Sequence, residues 1–223
     1  MTEHLVLRGT TVVDTRTGAT VPDRDVVVAG DRITAVLPAD SAGGHHVVDA
    51  RGTWLVPGFN DMHAHYVGRR TLRLWRRTGQ RFRALPASTL AVFHALYEVQ
   101  LRLTKILADE GVPMIAGSDV TGASWEVPGA SLHQEFDELA RAGLAPLTVL
   151  QMTTVEAGRF LGLEDLGVIE PGARADLVLL DGDPTADVAK LHRVTAVVRA
   201  GRHLAAADLG AIRERVAARR SVE

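Results

Sequence analysis

The sequence predicts an α/β fold, and three observations support that prediction. Short β-branched runs separated by glycine turns fill residues 4–56, and the same pattern returns after Gly167. Between these regions, residues 89–110 and 131–142 have the pattern of helices, and a glycine follows each of them. With 223 residues, 46% of them hydrophobic and 23% charged, the chain can form one large or two small globular domains.

The N-terminal region is predicted to consist of strands alone. Five short runs rich in β-branched and apolar residues indicate strands, at residues 5–7, 11–13, 25–28, 32–36 and 46–48. Gly30 and Asp31 predict a hairpin turn between two of these strands. A further apolar run, Trp54-Leu55-Val56, leads into a turn at Pro57-Gly58.

The second half of the chain is predicted to begin with helices and to end with strands. A short buried strand at residues 112–116 follows the first helix, and another helix begins at Pro146 and runs to about Leu161. The remaining predicted elements are strands at residues 167–169, 176–180 and 194–198 and an arginine-rich helix at residues 206–220.

Charge and composition narrow the classes of partner. A formal net charge of -2 argues against nucleic acid as an electrostatic partner. The absence of cysteine excludes disulfides and thiolate metal sites. No secretory signal is visible at the N-terminus, and no apolar run is long enough to span a membrane, so a cytoplasmic location is expected.

The most informative motif is the stretch Asp61-Met62-His63-Ala64-His65. If residues 59–65 form a strand, the side chains of Asp61, His63 and His65 share one face, because strand side chains alternate. Two imidazoles placed in this way can bind one divalent metal, with a nearby carboxylate as a further ligand or as a support for a ring. The alternative is a pair of solvent-facing histidines on an edge strand.

Four segments of the chain resemble the metal-dependent amidohydrolase superfamily, in the branch of imidazolonepropionase-like and prolidase-like enzymes. Residues 57–65 look like that family's first barrel strand, and residues 111–119 look like its last barrel strand. Residues 128–135 resemble the loop that follows, and residues 172–181 resemble the C-terminal β segment. The resemblance covers roughly residues 4–65 and 95–203.

The resemblance implies an incomplete (β/α) TIM-type barrel inserted into a composite β-sandwich that both termini build. The expected domains are the sandwich at residues 1–56 plus 164–205, the truncated barrel at residues 57–163 and a helical tail at residues 206–223. The implied activity is hydrolysis of amide or cyclic-amide C–N bonds in a small-molecule substrate by a metal-activated water.

The resemblance also implies the roles of individual residues. His63, His65 and Asp119 are the expected ligands of a divalent metal, with zinc the expected ion. Asp119 would also move the proton of the attacking water, and His133 would orient the substrate carbonyl. Asp61 is expected to support a ligand rather than to bind the metal. Asp119 as an ordinary turn residue and His133 as a structural histidine remain the alternatives.

The middle of the barrel is where the resemblance fails. About 48 residues separate His65 from the strand before Asp119, and six further strands cannot fit there, since one βαβ unit takes roughly 30 residues. Lys105 and Lys190, the only lysines, do not end predicted barrel strands, so a bridging carboxylated lysine is not expected. His94 is expected on a helix face near solvent. The alternative function is therefore an inactive, internally deleted remnant that acts only by association.

Two further expectations follow from the missing strands. The gap holds an arginine-rich stretch at residues 66–86, which is either a solvated segment marking the deletion or a surface for an anionic partner. The first and last barrel strands can pair with each other but lack their usual outer neighbours. Exposed edges of this kind favour association, so a homo-oligomer is expected. Four further histidines, His45, His46, His192 and His203, are interpreted as structural.

Overall fold

The computed structural model describes residues 4–44, 46–64, 84–120 and 127–220. Within these ranges the strands are β1 His4–Val13, β2 Thr20–Ala29, β3 Arg32–Pro38, β4 His46–Asp49, β5 Trp54–Pro57, β6 Leu177–Leu180, β7 Val194–Arg199 and β8 Arg202–Ala205. The helices are α1 Ala87–Asp109, α2 Ala130–Arg141, α3 Pro146–Met152, α4 Val155–Leu161, a 3₁₀ helix Val188–His192 and α5 Ala206–Arg220. Among the described helices, none combines the length and the apolar character that crossing a membrane requires.

All of these strands belong to one mixed sheet, in the order β3-β2-β1-β5-β6-β7-β8, with β4 pairing on β1. β1 runs antiparallel to β2 and parallel to both β4 and β5. The N-terminal and C-terminal halves meet where β5 pairs with β6 in antiparallel register, from Trp54 opposite Leu180 to Pro57 opposite Leu177. The expected pairing of β segments from both halves of the chain is therefore present.

The sheet rolls so that β3 reaches the segment that precedes β6. The backbone N–H of Ile33 donates to the carbonyl of Ala173 at 2.9 Å, and the N–H of Ala175 donates to the carbonyl of Asp31 at 2.8 Å. The N–H of Gly201, at the β7–β8 turn, donates to the carbonyl of Ala175 at 3.0 Å. These contacts join the β2–β3 hairpin to the C-terminal half.

The sheet is covered on both faces, and β6 shows this most clearly. Leu177 and Leu179 point into one cluster of buried side chains, inside the rolled sheet. Val178 and Leu180 point into a second cluster, where Phe136 of α2 is the largest fully buried side chain. The sequence of a strand that is buried on both faces is a continuous apolar run, without the alternation of apolar and polar residues seen in half-buried strands.

Three predicted strands are irregular in the structure, and this corrects the sequence interpretation. Residues 59–64 and 112–119 form no ladder, the chain bends at residues 62–63, and one parallel bridge, between Ala64 and Val120, joins the two segments. Residues 167–169 are also irregular. The carbonyl of Gly167 accepts a hydrogen bond from the Thr15 hydroxyl and not from the backbone N–H of a neighbouring strand. Ladders need neighbouring strands, which these segments lack among the described residues.

The single helix expected from Pro146 to Leu161 is broken into α3 and α4, and the break has a clear cause. The carbonyls of Met152 and Thr153 leave the helical direction and accept hydrogen bonds from the N–H groups of Ala116 and Asn60, at 3.2 and 2.8 Å. The Thr153 hydroxyl donates to the Asn60 carbonyl at 3.0 Å. These two carbonyls therefore hold the segments at residues 59–64 and 112–119 in place instead of continuing the hydrogen-bond pattern of the helix.

The contact between the hairpin and the β7–β8 turn leads to a stability prediction. Gly201 has φ +77°, and a Cβ there would lie 1.6 Å from the carbonyl oxygen of Gly30. We expect Gly201→Ala to lower the free energy of unfolding by about 2–5 kcal/mol, from left-handed strain of ~1–2 kcal/mol plus overpacking of ~1–3 kcal/mol. Denaturant titration measures the difference.

Gly52→Ala is the matched control, because Gly52 has φ +76° and open space where a Cβ would stand. It should lose only the strain contribution of about 1–2 kcal/mol. Equal losses in the two variants would show that the contact between Gly201 and Gly30 does not hold the hairpin.

Candidate active site

The two irregular segments, residues 59–64 and 112–119, carry the predicted ligands His63 and Asp119 and run side by side. The N–H of Met62 donates to the carbonyl of Ala116 at 3.0 Å, and the N–H of Asp119 donates to the carbonyl of His63 at 2.8 Å. Gly117 makes this approach possible, because a Cβ at that position would lie 2.7 Å from the Cβ of His63. Backbone pairing alone thus places His63 beside Asp119, although the two residues are far apart in sequence.

Asp61 fixes the loop that leads to Asp119. One carboxylate oxygen accepts a hydrogen bond from the Ser118 N–H at 2.9 Å, and the other accepts from the Ser118 hydroxyl at 2.6 Å. Both oxygens are therefore occupied within the protein. Asp61 therefore anchors Ser118, the residue immediately before Asp119.

His63 and Asp119 converge at the surface. The Nε2 atom of His63 lies 3.5 Å from Oδ1 of Asp119, and both side chains are more than half exposed. Asp119 has φ +50°, a left-handed backbone conformation that aspartate tolerates better than most residues. His65, the third predicted ligand, lies outside the described residues.

His63 and Asp119 offer ligand atoms of the kind that bind divalent metals. The described residues do not, however, form a complete set of metal ligands. An imidazole nitrogen and a carboxylate oxygen are both ordinary zinc ligands. Within residues 4–44, 46–64, 84–120 and 127–220, no group of three or more His, Cys, Asp or Glu side chains is arranged to hold a metal ion. A complete site would require His65 or another residue outside those ranges.

His133 lies on α2 among aromatic rings. Its ring centroid is 5.8 Å from that of Phe59, 5.4 Å from that of Phe136 and 5.2 Å from that of His192. Its Nδ1 atom is buried and has no hydrogen-bond partner among the described residues. Burial, followed by the neighbouring His192, lowers the pKa of His133 below its ordinary value. A neutral ring with a free nitrogen can donate to or accept from a ligand.

Two neighbours of this region were not identified from the sequence. Burial, followed by the carboxylates of Glu138 and Asp61, raises the pKa of Glu135. His192 was expected to be structural. It contacts His133, and its Nε2 atom forms a hydrogen bond with Asp137 at 2.8 Å. The sequence signal for Glu135 was its place at the end of the 128–135 motif. His192 lies far along the chain and gave no local signal.

The lysines and His94 lie where the sequence placed them. Lys105 is on α1 and forms an i,i+4 ion pair with Asp109 at 2.5 Å. Lys190 is in the 3₁₀ helix. His94 is on α1, on an exposed part of the helix. His45 and residues 65–83, which include most of the arginine-rich stretch, lie outside the described residues.

A comparison with family models matches residues 96–204 to the amidohydrolase family. Imidazolonepropionase from Cereibacter sphaeroides is 34% identical over 107 residues, which cover 46% of this chain and 27% of the relative. Adenine deaminase from Paracoccus denitrificans is 26% identical over 214 residues, covering 92% of this chain and 33% of the relative. The chain thus matches between about a quarter and a third of the length of these curated relatives.

Solved structures of the amidohydrolase fold resemble the chain as well. A Xaa-Pro dipeptidase with methionine bound in its active site has a TM-score of 0.68 and 12% sequence identity, over 91% of this chain and 100% of the dipeptidase. A bottromycin amidohydrolase has a TM-score of 0.65 and 18% identity, over 92% of this chain and 87% of the other. At these identities the likeness concerns the fold.

The environment of His133 leads to a pH prediction. Because its pKa is lowered in the folded state, the unfolded chain binds the proton more readily below pH 6.5, the ordinary value. The contribution of His133 to stability is therefore present above pH 6.5 and is lost as the pH falls through the folded-state pKa. An NMR titration of the ring proton, assigned by its absence in His133→Gln, should show a midpoint below 6.5. A midpoint at or above that value would contradict the burial described here.

Proposed function

This chain is a member of the amidohydrolase superfamily, and on that premise we propose that it is a metal-dependent hydrolase of amide or cyclic-amide C–N bonds. The observation that carries the proposal is the approach of His63 to Asp119, with 3.5 Å between Nε2 and Oδ1. The two side chains come from the segments that resemble the first and the last strand of the predicted barrel. Backbone hydrogen bonds and the Asp61–Ser118 contact hold those segments together.

We assign the metal to His63, His65 and Asp119, with zinc as the proposed ion. A bound metal of this kind lowers the pKa of a coordinated water toward ~7 and so supplies a nucleophile at neutral pH. Two imidazoles and one carboxylate leave coordination positions open for water and substrate.

The protein's own side chains would orient the reactants and move the proton. Asp119, exposed and fixed by its left-handed backbone, would accept the proton of the attacking water and return it to the leaving nitrogen. Asp61 would keep Asp119 in place through Ser118. His133 offers a buried nitrogen with no partner among the described residues, and it would bind the substrate carbonyl or a neighbouring polar group.

The curated relatives narrow the substrate class. Their names include imidazolonepropionase, adenine deaminase and 5-methylthioadenosine/S-adenosylhomocysteine deaminase. All of these names refer to C–N bonds in small nitrogen heterocycles, which favours a small cyclic amide or amidine over a peptide. We propose such a compound as the substrate and place the protein, as expected from the sequence, in the cytoplasm.

The second candidate is an inactive remnant, and the length of the gap favours it. About 48 residues between His65 and the second segment cannot supply the middle strands of a barrel. The family's other metal ligands come from those strands. A chain of this kind would keep the rolled sheet and lose turnover.

The metal assignment predicts that the purified chain binds at most one zinc ion, and weakly. His63→Ala and His65→Ala should each abolish binding, because removing one of three ligands leaves too few donors. Both should leave the unfolding transition nearly unchanged, since the sheet has its own buried clusters and His63 belongs to neither of them. Elemental analysis and zinc titration monitored by calorimetry provide the measurements.

His94→Ala, on the exposed part of α1, is the matched control and should keep the bound zinc. Two tightly held metals per chain would mean that further ligands exist outside the proposed set. Unfolding of the whole protein by His63→Ala would mean that this histidine is structural.

An activity measurement separates the two candidate functions. The zinc-loaded chain is incubated with a set of small cyclic amides and aminated purines, and ring opening or ammonia release is followed. The hydrolase proposal predicts turnover that Asp119→Asn reduces by a factor of about 100 or more, since a positioned acid–base group contributes 10²–10⁴. Zinc binding without turnover on any member of the set would favour the inactive remnant.

A further inference from the structure

The 3₁₀ helix brings a second histidine to His133, and the proposed mechanism does not use it. His192 is the last residue of this helix and follows Leu191, which is fully buried in the cluster beneath α2. On its other side, the carbonyl of Arg193 accepts a hydrogen bond from the N–H of Asp181 at 2.9 Å. The backbone of His192 is therefore held between the core and the end of β6.

The side chain of His192 is held by Asp137 of α2. Its Nε2 atom lies 2.8 Å from Oδ1 of Asp137. An ionised carboxylate can only accept a hydrogen bond, so Nε2 carries a proton and donates. Asp137 follows His133 by four residues on α2, and residues with this spacing lie on the same face of a helix. His133, Asp137 and His192 therefore form one compact group.

His133 has aromatic neighbours from three parts of the chain. The rings of Phe59 and Phe136 meet its imidazole edge-on, at interplanar angles of 81° and 75°. The ring of His192 is tilted by 41° to it, with 5.2 Å between the two centroids. These three neighbours leave the imidazole of His133 little room to turn, and His192 supplies one of them.

Three groups that carry or can carry charge act on His133, each from a different element. They are Asp137 on α2, His192 on the 3₁₀ helix and Arg213 on α5. Burial is the main cause that lowers the pKa of His133, and the charge of His192 is the next cause. Asp137 acts in the opposite direction, and Arg213 lowers the pKa slightly further. The ring of His192 therefore opposes a positive charge on His133.

We propose that His192 and Asp137 are positioning residues for His133. Asp137 fixes the ring of His192, and His192 keeps His133 neutral and correctly turned, with its buried Nδ1 atom free to meet the substrate. This inference rests on the proposed function, because it takes the substrate to be the ligand of His133. Nδ1 is buried without a partner among the described residues, which is a costly state that a ligand group would relieve.

The neutral ring has a consequence for the substrate. A neutral imidazole keeps one acceptor nitrogen and one donor, whereas a protonated ring has two donors and no acceptor. A neutral His133 can therefore bind an N–H group as well as a carbonyl. Cyclic amides carry these two groups side by side, so the positioning pair favours them over ligands that offer acceptors alone.

The exposure of the pair fits a positioning role better than a role in stability. The side chain of His192 is 37% exposed and that of Asp137 is 53% exposed. Ion pairs at such exposure contribute little to the free energy of unfolding. Substitutions in the pair should therefore change the titration of His133 while the unfolding transition stays nearly unchanged.

NMR titration of the His133 ring protons in the full chain, without metal or substrate, tests the proposal. His192→Phe keeps a ring beside His133, removes the charge and frees the carboxylate of Asp137, so the midpoint of His133 should rise toward its ordinary value. Asp137→Asn removes the group that raises the pKa while its amide oxygen can still accept from Nε2, so the midpoint should fall below that of the parent. His192→Gln, which also lacks a titratable ring, should repeat the rise and replaces His192→Phe if that variant does not fold.

Arg193→Gln is the matched control. Arg193 lies beside His192 but pairs with Asp181 at 3.3 Å and does not act on His133. Its removal should leave the midpoint of His133 unchanged. Opposite shifts in the His192 and Asp137 variants support the proposal. Unchanged midpoints, or shifts in one direction for both variants, would overturn it.

Activity measured against pH separates this inference from the proposed function. On a cyclic amide that the zinc-loaded chain turns over, the loss of kcat/KM on the acid side should begin at higher pH in His192→Phe and at lower pH in Asp137→Asn. A drop in kcat/KM by the same factor at every pH would show that the pair is merely structural and would overturn the inference. Absence of turnover together with opposite NMR shifts would contradict the proposed function alone and would support the control of His133 by the pair.

Discussion

The pairing of β5 with β6 is the constraint on which the rest of the structure depends. It joins residues 54–57 to residues 177–180, so that two apolar runs more than a hundred positions apart share one ladder. The ladder continues past the strand end, where the N–H of Gly58 donates to the carbonyl of Asp176 at 2.7 Å. The chain therefore leaves the sheet toward the candidate site in a fixed direction. Without this pairing only the contacts of the β2–β3 hairpin would join the two halves of the sheet, and β5 and β6 would each expose an apolar edge.

The break between α3 and α4 fixes the position of the candidate site relative to the sheet. Asn60 lies three residues after β5 and exchanges hydrogen bonds with Thr153, through both backbone and side chain. The carbonyl of Met152 holds Ala116 in the same way. Both segments that carry the proposed ligands are thus tied to one interrupted helix, which packs in turn against the sheet. Rigid support of this kind matters for a site, since small displacements of reacting groups are costly.

Much of this architecture could be predicted from local patterns, and the errors have a common cause. The strands of the N-terminal region, the hairpin at Gly30 and the first two helices follow from residue type and spacing, which act over a few neighbours. The strand expected at residues 112–116 and the continuous helix expected from Pro146 were wrong, because long-range hydrogen bonds decide both. At the candidate site, the approach of His63 to Asp119 could be anticipated from two motifs. The contact between His133 and His192 could not, because no spacing in the sequence encodes it.

The left-handed backbone of Asp119 limits how this position can change during evolution. At φ +50° the backbone admits glycine, asparagine and aspartate with little strain, while longer and branched side chains are disfavoured. Glutamate carries the same charge and the same donor atoms, yet it is not an equivalent substitute here, because its extra methylene moves the carboxylate and its backbone preference opposes the turn. The substitutions reached most easily at this position are therefore those that keep the fold and discard the charge. A lineage can lose the carboxylate at this position in one step without losing the fold, and regaining it requires aspartate again.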